Sequence, residues 1–317
     1  MTLTTLMKAA VTAAAFAMPG AALADWTPAG PITLQIGFGA GGSTDTLGRA
    51  IAAAVEENTG WDVIVENRPG GGGIAMLSTL MNEDPDGLTI GMGVTVATVM
   101  NLAMRGDQLP FTIESFDYLG TVVLAPVSVV AVSSAPYDTF AEFIDYSIEN
   151  GGSLVGFDGG PQRLIMQSIN NTTGSQVELV SHQSGAEIIT GLLGGQLDAG
   201  FSAGEHIQYL ESGDLKMLAV ATQARHPYSP DTQTLVEQGY PYSVEPYFYL
   251  AAPAGLEPEV QAALAGAIAD AIQSEELVEL IENVMQTEAT NLGPDGTEAK
   301  LTSGLGDAQA LIAAAAE

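Results

Sequence analysis

The chain contains no cysteine, and only 8 lysines and arginines stand against 38 aspartates and glutamates. Without cysteine there is no disulfide framework, no thiol nucleophile and no zinc site built on sulfur, so packing alone must hold the fold. The formal net charge is −30 at pH 7. Acids are present at an ordinary level for a chain whose charged residues divide evenly by sign, and it is the bases that are missing. Such a surface is repelled by nucleic acid and by anionic membrane. The surplus fits a saline habitat, where screening acts within a few ångströms, and fits drift in an exported protein equally well. No segment reaches the roughly eighteen uninterrupted apolar residues of a membrane span. His-Glu-x-x-His, Gly-x-Ser-x-Gly and paired-histidine spacings are also missing, and Gly70–Gly73 lacks the lysine of a P-loop. The histidines, His182, His206 and His226, have no motif around them, and His206 is expected at the surface or a boundary rather than as a ligand.

The N-terminus reads as a secretory signal. Met1–Lys8 carries one positive charge, Ala9–Ala21 is mostly apolar, and Ala22-Leu23-Ala24 is a small-x-small cleavage site before Asp25. Removal of residues 1–24 leaves a periplasmic, soluble chain from Asp25 to Glu317, one unit more negative because Lys8 is lost. A monomer is expected.

Strand and helix patterns alternate along the rest, which implies an α/β architecture with largely parallel sheets. Ile32, Leu34 and Ile36 alternate with Thr33 and Gln35, and then Leu47, Ile51 and Val55 recur every four residues. Between this strand and helix lies Gly37-Phe38-Gly39-Ala40-Gly41-Gly42-Ser43-Thr44, with Asp45 following. Bare glycine backbone lets N–H groups approach a ligand at the positive end of a helix dipole, which makes an anion cradle. A second unit repeats the theme, with strand 153–157 opening into Asp158-Gly159-Gly160-Pro161 and strand 176–180 opening into Ser181–Gly185. Two such units with glycine loops at their strand ends form a clamshell. Its expected domains are 25–125 with 225–317, and 126–224, crossing near Leu124–Val127 and Thr222–Arg225.

Gly37-x-Gly39-x-x-Gly42 also matches a dinucleotide fingerprint, and Glu66 ends the next strand where an acid holds a ribose hydroxyl. Its distance from Gly42 slightly exceeds the usual spacing of about 20 residues. Export to a compartment poor in free NAD and the lack of a hydride partner make an NAD-dependent oxidoreductase the lesser reading. Arg68 is expected to pair with Glu66 or a nearby acid. Arg163 either meets a distal ligand carboxylate or lies on a solvated helix face. Tyr240, Tyr242, Tyr247, Phe248 and Tyr249 are expected to pack rather than to form a sugar platform.

The run Pro31–Asp45, followed by Val65-Glu66-Asn67-Arg68-Pro69-Gly70, resembles the opening of the Bug-type receptors of tripartite tricarboxylate transporters. The resemblance continues through Pro85-Asp86-Gly87, Leu192–Asp198, Arg225, Pro230-Asp231, Thr234–Tyr240 and Ala252–Gly255, and so covers the chain in order. It implies a two-domain periplasmic binding protein of Venus-flytrap form, without a cofactor and without enzymatic activity. Such a receptor captures a small di- or tricarboxylate and delivers it to a membrane permease; a sensory module serving a membrane kinase is the alternative. Carried over, the first ligand loop is Phe38, Gly39, Ala40, Gly41, Gly42, Ser43, Thr44 and Asp45. The second-domain contacts are Gly156, Asp158, Gly159, Gly160 and Gln162 in one loop, and His182, Gln183, Ser184 and Gly185 in the other. Thr95 and Ser202 follow strands and are expected to face the cleft. The second-domain loops depart from the common family pattern, which bears on the identity of the ligand. Asp45 is either a helix-start residue or an acceptor for a ligand hydroxyl or amine.

Overall fold

The computed structural model describes residues 26–315, so the signal-like segment lies outside the described residues. Strand β1 (Ile32–Ile36) is the seed of the first domain. Its neighbours β2 (Val63–Asn67) and β3 (Thr89–Val94) pair with it in parallel. Ile32, Leu34 and Ile36 are buried with Leu47, Ile51 and Val55 of helix α1 (Ser43–Thr59). Gln35, on the other face, is buried too, and its Oε1 accepts from Thr79 of helix α2 (Ile74–Leu80). Both faces are therefore covered, as a central strand in an α/β layer requires.

Helix α3 (Thr95–Arg105) follows β3 directly. Strand β4 (Phe116–Leu124) then closes the far edge of the sheet. Between β3 and β4 runs β10 (Tyr247–Pro253), antiparallel to both. The strand order is β2-β1-β3-β10-β4. Helices α8 (Pro258–Ile272), α9 (Glu275–Met285) and α10 (Gly293–Ala315) complete this domain.

The second domain repeats the plan. Its strands are β5 (Ser128–Val132), β6 (Ser153–Phe157), β7 (Val177–Ser181), β8 (Ala199–Ser202) and β9 (Leu215–Val220), in the order β7-β6-β8-β5-β9. Helices α4 (Phe140–Glu149), α5 (Gly160–Thr173), α6 (Gly185–Leu193) and α7 (Ile207–Glu211) surround them. Here β5 is the antiparallel insert, paired with β8 and β9. Each sheet thus contains two parallel and two antiparallel pairings, so both are mixed. The antiparallel element is in each case the strand contributed after a crossing between domains.

Strand β4 belongs to the first sheet and β5 to the second, and we propose that the outward crossing lies between them. For the return crossing, expected near Thr222–Arg225, the packing favours a later position. Thr234 bridges Val220, Leu235 is fully buried in the second core, and Tyr240 packs edge-on against Phe140 at 5.1 Å. The apolar residues of 235–244 find their partners in the second domain, and we propose that this domain extends to about residue 245. The two crossings run side by side, with Ala125 N–H donating to the Pro246 carbonyl at 2.8 Å.

Close packing ties this frame to the loops above it. A Cβ at Gly200 on β8 would overlap Ile188 Cγ2 of α6, and isoleucine is stiff at χ1. Gly200→Ala should therefore push α6 outward and destabilise the protein by about 1–3 kcal/mol, the usual cost of overpacking. Chemical denaturation checks this through a lower midpoint at unchanged slope.

Candidate functional site

Helix α1 starts where the glycine loop ends. Gly42 is its extended N-cap residue and makes no side-chain cap, so the first amides of the helix face the space between the domains. Helix α6 starts on the opposite wall, capped by Ser184, whose Oγ accepts from Glu187 N–H. The two helix N-termini converge on one point. A carboxylate already stands there, that of Glu205, from the turn after β8. Ser43 N–H donates to Glu205 Oε1 at 2.6 Å across the domain boundary. Ser202 Oγ and Ala203 N–H donate to its Oε2 at 3.0 and 3.2 Å. A Cβ on Gly185 would lie 2.7 Å from this carboxylate, and one on Gly42 would lie 3.4 Å from its Oε1. Glycine at 185 is what admits the carboxylate, whereas a Cβ at 42 would crowd Ser184 Cβ at 3.2 Å.

Beside this seat is a small cavity of about 60 Å³. Phe38, Val94, Val96, Val127, Val244 and Phe248 give it an apolar wall. Its polar lining includes Ser43, Thr44, Asp158, Gln162, Ser184 and Glu205, with Gly42, Gly159 and Gly185 between them. The structure therefore brings together nine of the residues expected from the sequence: Phe38, Gly42, Ser43, Thr44, Asp158, Gly159, Gln162, Ser184 and Gly185. Gly160, His182 and Gln183 line a second, larger cavity beside the first.

The remaining expected residues have other work. Gly39 N–H donates to the Gln183 carbonyl at 2.9 Å and so clasps the two domains. Ala40 and Gly41 are exposed at the rim. Asp45 is buried, and its oxygens accept from Gly41 N–H at 2.9 Å and Asn67 Nδ2 at 2.8 Å, with Arg49 at 3.0 Å. Burial raises its pKa, but the Arg49, Gly41 and Asn67 hydrogen bonds outweigh that and hold it below its ordinary value. These three partners brace the glycine loop from within, and we propose that Asp45 acts as a loop brace rather than as a ligand contact. Thr95 is buried at the start of α3, and its Oγ1 accepts from Tyr247 N–H at 3.1 Å, tying α3 to β10. Gly156 is packed under Ile188 and Leu197, where only a hydrogen fits. Ser202 is buried and acts through Glu205.

Other expectations resolve similarly. Arg68 Nη2 pairs with Glu66 at 2.9 Å, as expected, which engages the acid that a ribose would have needed. The tyrosines pack, Tyr249 being fully buried with its hydroxyl 3.0 Å from Thr98 Oγ1. His206, expected near the surface, is fully buried, its ring 5.7 Å from that of His226 and its Nδ1 3.0 Å from Ser202 Oγ. It underpins the turn that presents Glu205. Glu205 itself was not singled out, because the turn Ser202–His206 carries no periodicity or motif. The one signal was an acid three residues past a strand end in a chain whose other strand-end loops were already suspect.

Electrostatics divide the site. Asp158 is pushed up to about 6 by burial and by the nearby Glu205 charge. Burial pushes His206 down to about 3, helped by His226, and pushes His226 down to about 4. Among the described residues no group of three or more metal-ligating side chains converges. Linkage then gives opposite slopes. Asp158, raised from 3.8, contributes stability that is present below pH 3.8 and lost as pH rises through about 6. The histidines, lowered from 6.5, contribute stability present above pH 6.5 and lost as pH falls toward 4 and 3. Asp158→Asn should raise stability at pH 7 and steepen the loss between pH 6 and 4. Urea midpoints measured across that range check it, and parallel profiles for both proteins would contradict it.

Comparison with known proteins was made against this geometry. Residues 47–293 match the model of the tripartite tricarboxylate transporter family receptor. The chain is 30% identical over 254 residues to the UPF0065 protein in the gbd 5′ region of Cupriavidus necator, covering 77% of this chain and 75% of that one. It superimposes on the periplasmic binding protein BugD with a TM-score of 0.82 at 24% identity, covering 92% of this chain and 99% of BugD. MatC from Rhodopseudomonas palustris, solved with bound malate, gives a TM-score of 0.81 at 21% identity, covering 90% of this chain and 100% of that one.

Proposed function

The chain belongs to the receptor family of the tripartite tricarboxylate transporters, and from that premise we propose that it is a periplasmic solute receptor that captures a small carboxylate between its domains for delivery to a membrane permease. The observation that carries this reading is the seat of Glu205. A carboxylate is held there by main-chain and hydroxyl donors, and among the described residues no lysine, arginine or histidine forms an ion pair with it. Charge-assisted hydrogen bonds of this kind contribute about 1.5–3 kcal/mol each. A helix N-terminus adds about 0.3–1 kcal/mol, and up to about 2 when partly buried. Micromolar capture needs about 8 kcal/mol, which a few such donors supply. Malate bound to MatC supports the same ligand class.

In this reading Glu205 is the protein's own stand-in. It closes the cleft over the α1 amides until an external carboxylate displaces it. The domains must then part along the paired crossings at Ala125 and Pro246 and close again on the ligand, a hinge motion with few rotating bonds. Asp158 sets the pH dependence: an arriving anion favours its protonated form, so affinity rises as pH falls through about 6.

Thermal shift of the mature protein against mono-, di- and tricarboxylates, with sugars and amino acids as controls, tests the reading. An acid should raise the midpoint and the sugars should not; a response to sugars alone would contradict it. Glu205→Gln keeps an acceptor for Ser43 N–H but removes the competing charge, and should tighten acid binding by about tenfold, equivalent to about 1.4 kcal/mol. Gly42→Val places branched carbons against Ser184 and the Glu205 seat, and should abolish binding while the folded signal persists. Binding of Gly42→Val at wild-type affinity would remove the seat from the account.

A further inference from the structure

The contacts that begin at Ser43 N–H do not end at Glu205. Glu205 Oε2 accepts from the Ser202 hydroxyl at 3.0 Å, and the same Ser202 oxygen lies 3.0 Å from Nδ1 of His206. A serine hydroxyl has one proton. Here that proton has two neighbours at equal distance, and only one can receive it. Which one does so depends on whether Nδ1 carries a proton of its own. Gly204 N–H also donates to Nδ1, at 3.4 Å. Nδ1 is therefore an acceptor, and the ring carries its proton on Nε2.

The surroundings of the ring agree with this assignment. His226 stands perpendicular to His206, and its own Nδ1 accepts from Tyr228 N–H at 3.2 Å. Neither Nε2 has a hydrogen-bond partner among the described residues, so nothing on that side competes to fix the tautomer. Both rings are fully buried, which keeps them neutral. The Ser202 proton thus chooses between a charged acceptor and a neutral one. While Glu205 holds Ser43 N–H, the carboxylate wins, because a hydrogen bond to an ionised group is roughly twice as strong. Departure of Glu205 reverses the choice. Ser202 is buried and does not line the small cavity, so an acid that takes the place of Glu205 at Ser43 does not take its place at Ser202. A buried hydroxyl left without an acceptor is destabilising.

We infer that His206 is a positioning residue for capture: its Nδ1 receives the Ser202 hydroxyl proton when Glu205 leaves Ser43 N–H, so that opening the latch leaves no buried hydroxyl without an acceptor. The inference rests on the receptor reading above, in which an incoming carboxylate displaces Glu205, and it names the group that makes the displaced state stable. No covalent bond changes. The hydroxyl turns about Cβ–Oγ, the proton stays on Ser202, and Glu205 leaves with its charge. The histidine touches neither the ligand nor Ser43; it acts only through Ser202.

The test is nitrogen-15 NMR of the mature protein with labelled histidine near pH 7, the three rings being assigned through their own backbone resonances. A ring nitrogen without a proton resonates downfield of one that carries it, and it moves upfield when it accepts a hydrogen bond. The wild type should show His206 with Nδ1 unprotonated. Glu205→Ala removes the carboxylate with no ligand present and should move Nδ1 upfield; adding Ser202→Ala should cancel the movement. Succinate, malate or citrate, whichever binds, should reproduce it in the wild type. A proton on Nδ1, or a resonance unmoved in Glu205→Ala, overturns the inference and leaves the receptor reading standing. An acid that binds without moving the resonance also overturns it. If Glu205→Ala moves the resonance and none of the acids binds, the receptor reading falls and the exchange at Ser202 stands. Calorimetry adds a second arm. His206→Phe keeps a ring in the core and deletes the acceptor, and should weaken acid binding about fivefold or more, the effect of one buried hydroxyl left unserved. It should do so in the wild-type background and not in Ser202→Ala. Equal loss in both backgrounds makes His206 a packing residue only and overturns the inference. Should His206→Phe fail to fold, the resonance of the wild-type ring decides alone.

Discussion

A single hydrogen bond organises this molecule: Ser43 N–H of one domain donating to the Glu205 carboxylate of the other at 2.6 Å. The bond needs the N-terminus of α1 to be free of a side-chain cap, which Gly42 provides. It needs Gly185 opposite, because any side chain there would meet the carboxylate. It also needs the turn Ser202–His206 to be held rigid, which a buried histidine does at the cost of a strongly lowered pKa. The glycines, the serine and the histidine thus serve one seat for one negative group. The clasp of Gly39 on Gln183 is the second bond that joins the same loops across the cleft.

The acidity of the chain gains meaning beside that seat. A protein so negative cannot attract an anion over distance, and screening beyond about 8 Å at physiological salt makes long-range attraction unimportant. Local donors decide, and they are mostly main-chain N–H groups with no charge of their own. Asp158 lines the same cleft, and burial pushes its carboxyl up to about 6, so a part of its charge is already lost as pH falls toward that value.

Much of this was legible in the sequence. Ile32, Leu34 and Ile36 announced a strand and Leu47, Ile51 and Val55 a helix, and the structure has both, joined by the glycine loop. These signals are local and periodic, so they survive without tertiary context. Strand β10 was harder to read, because Tyr247–Tyr249 looks like generic aromatic packing until it is seen threaded antiparallel between β3 and β4. The later return crossing that we propose was hidden for a similar reason: Leu235 and Tyr240 pack against the second core, which no local pattern states. Glu205 escaped because its partner, Ser43, is 162 residues away. The Asn67 contact of Asp45 was not legible either, because an acid at a helix start in a glycine loop looks the same with or without such a partner.

The most direct measurement is a crystal structure of the mature protein grown with a saturating acid from the carboxylate panel. The account predicts a ligand carboxylate oxygen within hydrogen-bonding distance of Ser43 N–H, with the Glu205 side chain swung out of that position. An acid bound in the cleft while Glu205 still holds Ser43 N–H, or bound elsewhere on the molecule, would contradict it.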